Sequence, residues 1–243
     1  MSKAFFIDTS RCTACRGCQV ACKQWHKLPA TETENRGSYQ NPADLNFFTY
    51  KLVRFEEPMI DNQVRWLFFA DQCRHCIDPP CKLTADMYAE GAIIKDPLTG
   101  AVLYTDKTGM LDKSAQQDVR DSCPWDIPRS SPDFKLMSKC DMCIDRVHNG
   151  MKPACVQVCP TGTMNFGDRE DMLALAEARL NEVKKKRPKA RLLNSDILNV
   201  IFLVEYDPDL YHEFAVAEAK PRNPAFTRKD MFAKMFSPLR KQS

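Results

Sequence analysis

Apolar positions along this chain fall in short segments separated by polar loops. Residues 4–8 (Ala-Phe-Phe-Ile-Asp) predict a short strand, and residues 65–70 (Arg-Trp-Leu-Phe-Phe-Ala) a second. Each runs straight into a cysteine-rich loop, which makes a weak internal repeat. Residues 91–95 and 101–105 flank Asp-Pro-Leu-Thr-Gly, a turn signal, and predict a β-hairpin. Between 168 and 186, Met172, Ala176, Leu180 and Val183 recur at helical spacing, and Pro188 follows. That segment predicts a core-packing helix with a charged Lys184-Lys185-Lys186-Arg187 end. Residues 199–206 predict a further strand. Residues 27–63 hold no cysteine, are rich in Asn, Pro and Glu, and read as a long loop arm.

Composition narrows the class. The chain has 243 residues, 44% hydrophobic and 28% charged, which excludes disordered and fibrous proteins. It is long enough for a real core without covalent staples. The longest purely apolar run spans only residues 200–204, and a bilayer span needs about 20, so no transmembrane helix is expected. The opening apolar stretch ends at Asp8, too soon for a secretory h-region, so no cleavable export signal is expected.

The count that redirects the analysis is 12 Cys against 4 His. Cys12, Cys15, Cys18 and Cys22 are spaced C-x2-C-x2-C-x3-C. Cys73, Cys76 and Cys81 follow as C-x2-C-x4-C. Cys123 stands alone before Pro124. Cys140, Cys143, Cys155 and Cys159 are spaced C-x2-C-x11-C-x3-C before Pro160. The first run is the bacterial ferredoxin pattern, with Lys23 where its proline would stand. In that pattern three thiolates of one tight loop hold one [4Fe–4S] cluster, and the fourth cysteine serves a different cluster.

The twelve cysteines then divide without remainder. Cys12, Cys15 and Cys18 take Cys159 by ferredoxin-style crossing; Cys140, Cys143 and Cys155 take Cys22; Cys73, Cys76 and Cys81 take Cys123. The middle region also lacks something. Positions where a further cluster's ligands would fall by the same spacing are Ala85, Lys113, Gln116 and Val119, so all four are missing together. This looks like one cluster removed as a unit from a four-cluster plan. Structural zinc also uses C-x2-C pairs, but usually as two pairs or mixed with His. Closely repeated two-residue spacings also pair poorly as disulfides. His75, inside the second loop, reads as a loop or supporting residue because the ligand count is already closed. His26, His148 and His212 carry no partner signal in the sequence.

Charge follows the metal. The formal +3 counts cysteines as neutral; three clusters at about −2 each bring the loaded chain to roughly −3. The cysteine loops carry Arg11, Arg16, Lys23, Arg74 and Lys82, and Arg11 or Lys23 near a cluster would favour its reduced state. No concentrated basic and aromatic surface of the nucleic-acid-binding kind is present. Residues 220–243 carry seven basic side chains against Asp230 alone, net +6, interleaved with Phe226, Met231, Phe232, Met235 and Phe236. That tail reads either as a clamp on an acidic partner or as a solvated extension. Nucleophile–base motifs, phosphate loops and dinucleotide fingerprints are lacking, so no catalytic residue is assigned.

Four stretches carry a resemblance. These are Ser10-Arg-Cys12-Thr-Ala-Cys15-Arg-Gly-Cys18-Gln-Val-Ala-Cys22-Lys-Gln-Trp25, Cys73-Arg-His-Cys76-Ile-Asp-Pro-Pro-Cys81, Lys139-Cys140-Asp-Met-Cys143-Ile-Asp-Arg146 and Pro153-Ala-Cys155-Val-Gln-Val-Cys159-Pro-Thr-Gly162. Together they resemble the iron–sulfur subunits that partner molybdopterin oxidoreductases. Gln40-Asn-Pro, Trp66-Leu-Phe-Phe and Thr161-Gly-Thr-Met-Asn-Phe-Gly-Asp168 are most similar to the small subunit of soluble tungsten or molybdenum formate dehydrogenases of sulfate-reducing bacteria. The resemblance implies three [4Fe–4S] clusters here and a tungsten or molybdenum bis-pterin only on a large partner subunit in a heterodimer. It also implies a soluble c-type cytochrome as acceptor, no membrane span, and a periplasmic location reached by co-export with the large subunit; a cytoplasmic location is the alternative. Another molybdopterin partner acting on a sulfur, nitrogen or arsenic oxyanion, a zinc-binding structural module, and a free-standing polyferredoxin remain the rival readings.

The expected fold class is α+β: a ferredoxin-like polyferredoxin with two cluster-binding lobes, short strands, cysteine loops and a C-terminal helix and strand. Residues 1–65 with 129–168 are expected to form a two-cluster lobe, and 66–128 an inserted one-cluster lobe. Residues 169–243 are expected to form a C-terminal helix, a strand and the basic partner-binding tail.

Overall fold

The computed structural model describes residues 2–35 and 37–217; the basic tail and its proposed clamp lie outside them. The chain opens with β1 (Lys3–Asp8), α1 (Gly17–Trp25), β2 (Leu52–Glu56), β3 (Met59–Ile60), β4 (Gln63–Val64) and β5 (Leu67–Asp71). It continues through α2 (Pro80–Asp86), β6 (Ile93–Lys95), β7 (Val102–Tyr104), α3 (Lys113–Asp121), β8 (Arg129–Ser130), β9 (Met137–Ser138), α4 (Ile144–His148) and α5 (Ala154–Gln157). β10 (Met164–Asp168), α6 (Arg169–Lys184), β11 (Arg191–Leu193) and β12 (Val200–Val204) close the order.

The main sheet runs β10-β1-β12-β11, with β1 antiparallel to β10 and parallel to β12. Successive side chains of a strand point to opposite faces, and both faces of β1 and β12 are covered. Phe5, Ile7, Val200, Phe202 and Val204 pack with Leu67, Phe69 and Cys155 on the cysteine side. Phe6, Ile201 and Leu203 pack on the other side against Ala176 and the partly buried Met172, Leu173, Leu180 and Val183 of α6. The helical period read in the sequence is therefore the stripe that covers this sheet. Two-sided burial explains why 200–204 is a continuous apolar run rather than an alternating one.

The arm is not all loop. Within it β2 pairs antiparallel with β5, matching Val53 to Ala70 and Arg54 to Phe69. The strand was hidden because its middle residue is Arg54, a charge that breaks the apolar pattern. Arg54 is buried and bonds Asp71, fully buried at 0% exposure, at 2.9 and 3.0 Å. Arg74 Nη1 donates to the other Asp71 oxygen at 2.7 Å. Asp44 joins Arg54 to Arg129, each at 2.6 Å, and Asp126 joins Arg129 to Arg120. This ionic chain ties the arm to the segment that carries the second cysteine loop. The β2–β5 hairpin straddles position 65/66, and β12 lies beside β1, so residues beyond 168 complete the sheet begun at the N-terminus.

Five helices, α1 to α5, escaped the hydrophobic pattern. α3 is mostly polar, with Ala115 and Val119 its buried apolar positions; Asp112 caps it by accepting from Ala115 N–H at 2.8 Å. α1 and α2 begin inside cysteine loops, where cysteine spacing masks any periodicity.

Candidate metal centre

The three leading triples are built alike. In each C-x2-C pair the residue before the second cysteine is left-handed: Ala14 at φ +52°, His75 at +46° and Met142 at +66°. A non-glycine residue pays about 1–2 kcal/mol for that conformation, and such strain concentrates where a site demands it. The turn folds the two thiols toward one side. The third cysteine of each triple then occupies the second position of a helix: Cys18 in α1, Cys81 in α2 and Cys155 in α5.

Two pockets of near-equal size result. One, about 330 Å³, is lined by Cys73, Cys76, Cys81 and Cys123 with Arg74, Tyr104, Trp125 and Lys139 among others. The other, about 320 Å³, is lined by Cys12, Cys15, Cys18 and Cys159 with Val53, Ala70 and Met164. Cys22, Cys140, Cys143 and Cys155 make a third group: burial raises the Cys22 thiol, and Cys155 and Cys143 beside it raise it further. Burial likewise raises Cys140, reinforced by Cys22 and Cys155. The groups also act on one another electrostatically. Cys155 acts on Cys18, and Cys73 acts on Cys140. The Cys22 group therefore lies between the other two.

All twelve cysteines are free. Burial pushes Cys18 and Cys123 up to about 12, so without metal these thiols stay protonated and metal binding must release protons. Cys159 runs the other way. Burial opposes ionisation there, but hydrogen bonds from Met164, Thr161 and Thr163 lower its thiol below the ordinary range. Backbone N–H groups aimed at sulfur are the means by which a protein steadies cluster thiolates.

The surroundings fit an anionic sulfur cluster. Trp125 Nε1 lines the Cys73 pocket, is buried, and has no hydrogen-bond partner among the described residues. An orphaned donor there fits sulfide or thiolate acceptors that the bare chain does not supply. Lys51 and Lys139 are buried, at 2% and 6% exposure, and neither makes a salt bridge among the described residues; both donate to neutral oxygens. Buried cations without a counter-ion point to a negative guest.

Other predicted residues take different places. His75 is fully buried, and burial with nearby Lys139 lowers its pKa, leaving it neutral. Its Nδ1 accepts the Val102 N–H at 3.1 Å, fastening the second cysteine loop to the β6–β7 hairpin. His26, His148 and His212 each face an aspartate: Asp141 at 2.8 Å, Asp96 at 3.2 Å and Asp71 at 3.8 Å. Lys23 turns to the Pro29 and Phe48 carbonyls at 2.8 Å, and Arg11 is largely exposed on Asp8. Arg74 lines the Cys73 pocket and acts on Cys76, and two further cations, Lys51 and Lys139, act on the thiols; sequence reasoning missed these two because neither lies between cysteines of a spaced run.

The positions of the missing ligands are filled. Ala85 and Val119 are fully buried in one apolar cluster with Cys81, Ile93, Leu111 and Met137. Gln116, also fully buried, donates to the Leu111 and Phe134 carbonyls, and Lys113 lies over the Phe134 ring. Packed side chains stand where the four-ligand spacing would place a cluster. Val119→Ala should cost about 2 kcal/mol from lost methyl burial and a residual void, read as a lower denaturant midpoint at unchanged iron content.

Comparison with known proteins agrees with this chemistry. Residues 64–169 match the model of a 4Fe-4S dicluster domain, and the surrounding α+β structure is ferredoxin-like. Formate dehydrogenase subunit beta of Megalodesulfovibrio gigas is 60% identical over 217 residues, 89% of this chain and 100% of that relative. Formate dehydrogenase 2 subunit beta (cytochrome c-553) of Nitratidesulfovibrio vulgaris is 54% identical over 88% of this chain and 99% of that relative. The formate dehydrogenase-O iron-sulfur subunit of Escherichia coli is 34% identical over 97% of this chain and 77% of that relative. Among the described residues no helix is long and apolar enough to cross a membrane. With [4Fe–4S] chemistry in its cysteine loops and these relatives along most of its length, the chain belongs to the iron–sulfur beta subunits of formate dehydrogenases, which transfer electrons for a separate catalytic subunit.

Proposed function

We propose that this chain holds three [4Fe–4S] clusters in a row and links a metal–pterin large subunit to a soluble c-type cytochrome. The observation that carries the reading is the contiguous order of the three four-cysteine groups, with Cys22, Cys140, Cys143 and Cys155 in the middle. Cys12, Cys15, Cys18 and Cys159 would hold one cluster, Cys22, Cys140, Cys143 and Cys155 the next, and Cys73, Cys76, Cys81 and Cys123 the third. When bound, the clusters supply one-electron carriers of tunable potential. The chain's own share is positional. Its left-handed loop residues aim the thiols, its two-sided sheet keeps water from them, and its backbone donors and buried cations steady their charge.

The large partner follows from the family. The cytochrome acceptor is supported by the printed name of the Nitratidesulfovibrio vulgaris relative, which includes cytochrome c-553. Tungsten or molybdenum on the partner, the two-lobe division at 66–128, and a periplasmic location by co-export rest on the resemblance of the cysteine motifs. Anaerobic purification should give about twelve irons and as many sulfides per chain. Tungsten or molybdenum should track the co-purified large subunit. Zinc in place of iron, or far fewer irons, overturns the reading. Cell fractionation decides the compartment.

The tail adds a partner test. Removing residues 220–243, with their net +6, should loosen the large subunit and make its retention less salt-dependent than the parent's. Unchanged co-purification refutes the clamp.

A further inference from the structure

Two buried lysines make no salt bridge among the described residues, although Lys139 acts through space on Asp141, itself hydrogen-bonded to His26. Lys51 precedes β2 and is 2% exposed. Its ammonium meets only neutral oxygens, the Gln72 side-chain carbonyl at 2.5 Å and the Ala70 carbonyl at 3.4 Å. Ala70 in turn lines the Cys12 pocket. Lys139 is 6% exposed, donates to the Val102 and Cys140 carbonyls, and lines the Cys73 pocket under the Tyr104 ring. Each is thus wedged at a junction: Lys51 between the Cys12 and Cys22 groups, Lys139 between the Cys22 and Cys73 groups.

The electrostatics are reciprocal. Lys51 opposes the raised pKa values of Cys12, Cys18, Cys22 and Cys155, members of two different groups. Cys155, Cys18, Cys140 and Cys22 in turn surround the Lys51 ammonium, whose only hydrogen-bond acceptors among the described residues are the neutral Gln72 and Ala70 oxygens. Lys139 acts on Cys81 across the second junction. An unpaired cation in a dry interior is unfavourable, and negative sites on either side would supply its counter-charge.

We infer that Lys51 and Lys139 are shared counter-cations, each setting the reduction potential of the two metal sites it lies between. Adding an electron to a site of about −2 charge is opposed by its own charge; a buried ammonium a few ångströms away relieves that, more than a surface cation can. Neighbouring sites also repel each other's added electron, so the second reduction at a junction is harder than the first. The two sites then titrate as a coupled pair.

This inference rests on the three-cluster reading, and the two can fail separately: iron content of the parent protein tests that reading, midpoint potentials test this one. The anaerobically purified complex is titrated with dithionite and followed by electron paramagnetic resonance. Lys51→Met keeps the stem and removes the charge. It should make reduction of two of the three couples about tenfold less favourable, about 59 mV more negative each, and leave the third in place. Lys139→Met should shift the couple that Lys51→Met leaves untouched. Lys51→Arg keeps the charge and should stay near the parent. If Lys51→Met loses iron, recovery of both clusters in Lys51→Arg still supports the charge role; loss in both variants overturns it. Fully loaded Met variants with parental potentials, or a uniform shift of all three couples, also overturn it.

Discussion

Replacing Cys159 with alanine should lower iron from about twelve to about eight per chain. The loss should fall on the site served by Cys12, Cys15 and Cys18, because the pocket these three line is completed by Cys159, from the far end of the cysteine region. Cys159 also receives hydrogen bonds from Met164, Thr161 and Thr163, which lower its thiol pKa against the effect of burial. Alanine removes both the ligand and the group those donors serve. A Cys22→Ala variant should instead empty the middle site, because its sulfur sits with Cys143 and Cys155 although it follows Cys18 in sequence. Iron and sulfide analysis with Mössbauer or paramagnetic spectra of both variants separates the cases. Interchanged losses would falsify the crossed pairing. The middle position of the Cys22 group adds a kinetic expectation: emptying it should halt electron delivery to any acceptor while substrate still reduces the large subunit.

Replacing Asp71 with asparagine should cost about 3–5 kcal/mol, because the buried Arg74 loses its counter-charge and the buried Arg54 is left with Asp44. Arg54 and Arg74 are both buried, Arg74 almost fully, and Arg74 also lies over the Phe69 and Phe202 rings at 5.3 and 4.9 Å. Those rings are stacked at 4.2 Å, so the network holds the packing beside the sheet as well as the arm. Burial opposes ionisation of Asp71, but Arg74, Arg54 and His212 hold its carboxyl well below the usual carboxylate range. A group depressed on folding stabilises fully above its unfolded pKa of about 3.9 and loses that contribution as pH falls toward its folded value. The stability gap between parent and Asp71→Asn should therefore be constant near neutrality and shrink below about pH 4. Anaerobic denaturant melts at several pH values read it, with unchanged spectra at neutral pH showing that the clusters survive. A gap below 1 kcal/mol at pH 7 would show that the arginines find other partners.

The same network shows what could be read from the sequence. Segments whose apolar periodicity is unbroken were legible: residues 4–8, 65–70 and 199–206 as strands, 91–105 as a hairpin, 168–186 as a helix. β2 was not, because Arg54 interrupts it and is neutralised by Asp71 and Asp44, which folding brings to it. β10 and β11 were not, since Met164–Asp168 contains Asn and Gly, and becomes a strand through its pairing with β1. α3 presents few apolar residues to the eye because Gln116 occupies a buried position by satisfying two carbonyls.

What the sequence by itself determined is chemistry that depends on local spacing. Repeated C-x2-C pairs and Cys-Pro steps put thiols within reach of one another whatever surrounds them, so iron–sulfur ligation and the family were readable from twelve positions. What only the tertiary structure decided depends on residues far apart in the chain. It brought Lys51 and Lys139 to the junctions, set the Cys22 group between the other two, and packed Ala85 and Val119 together. A buried charge or an apolar contact owes its energy to neighbours that folding brings near, and spacing along the chain carries no record of them.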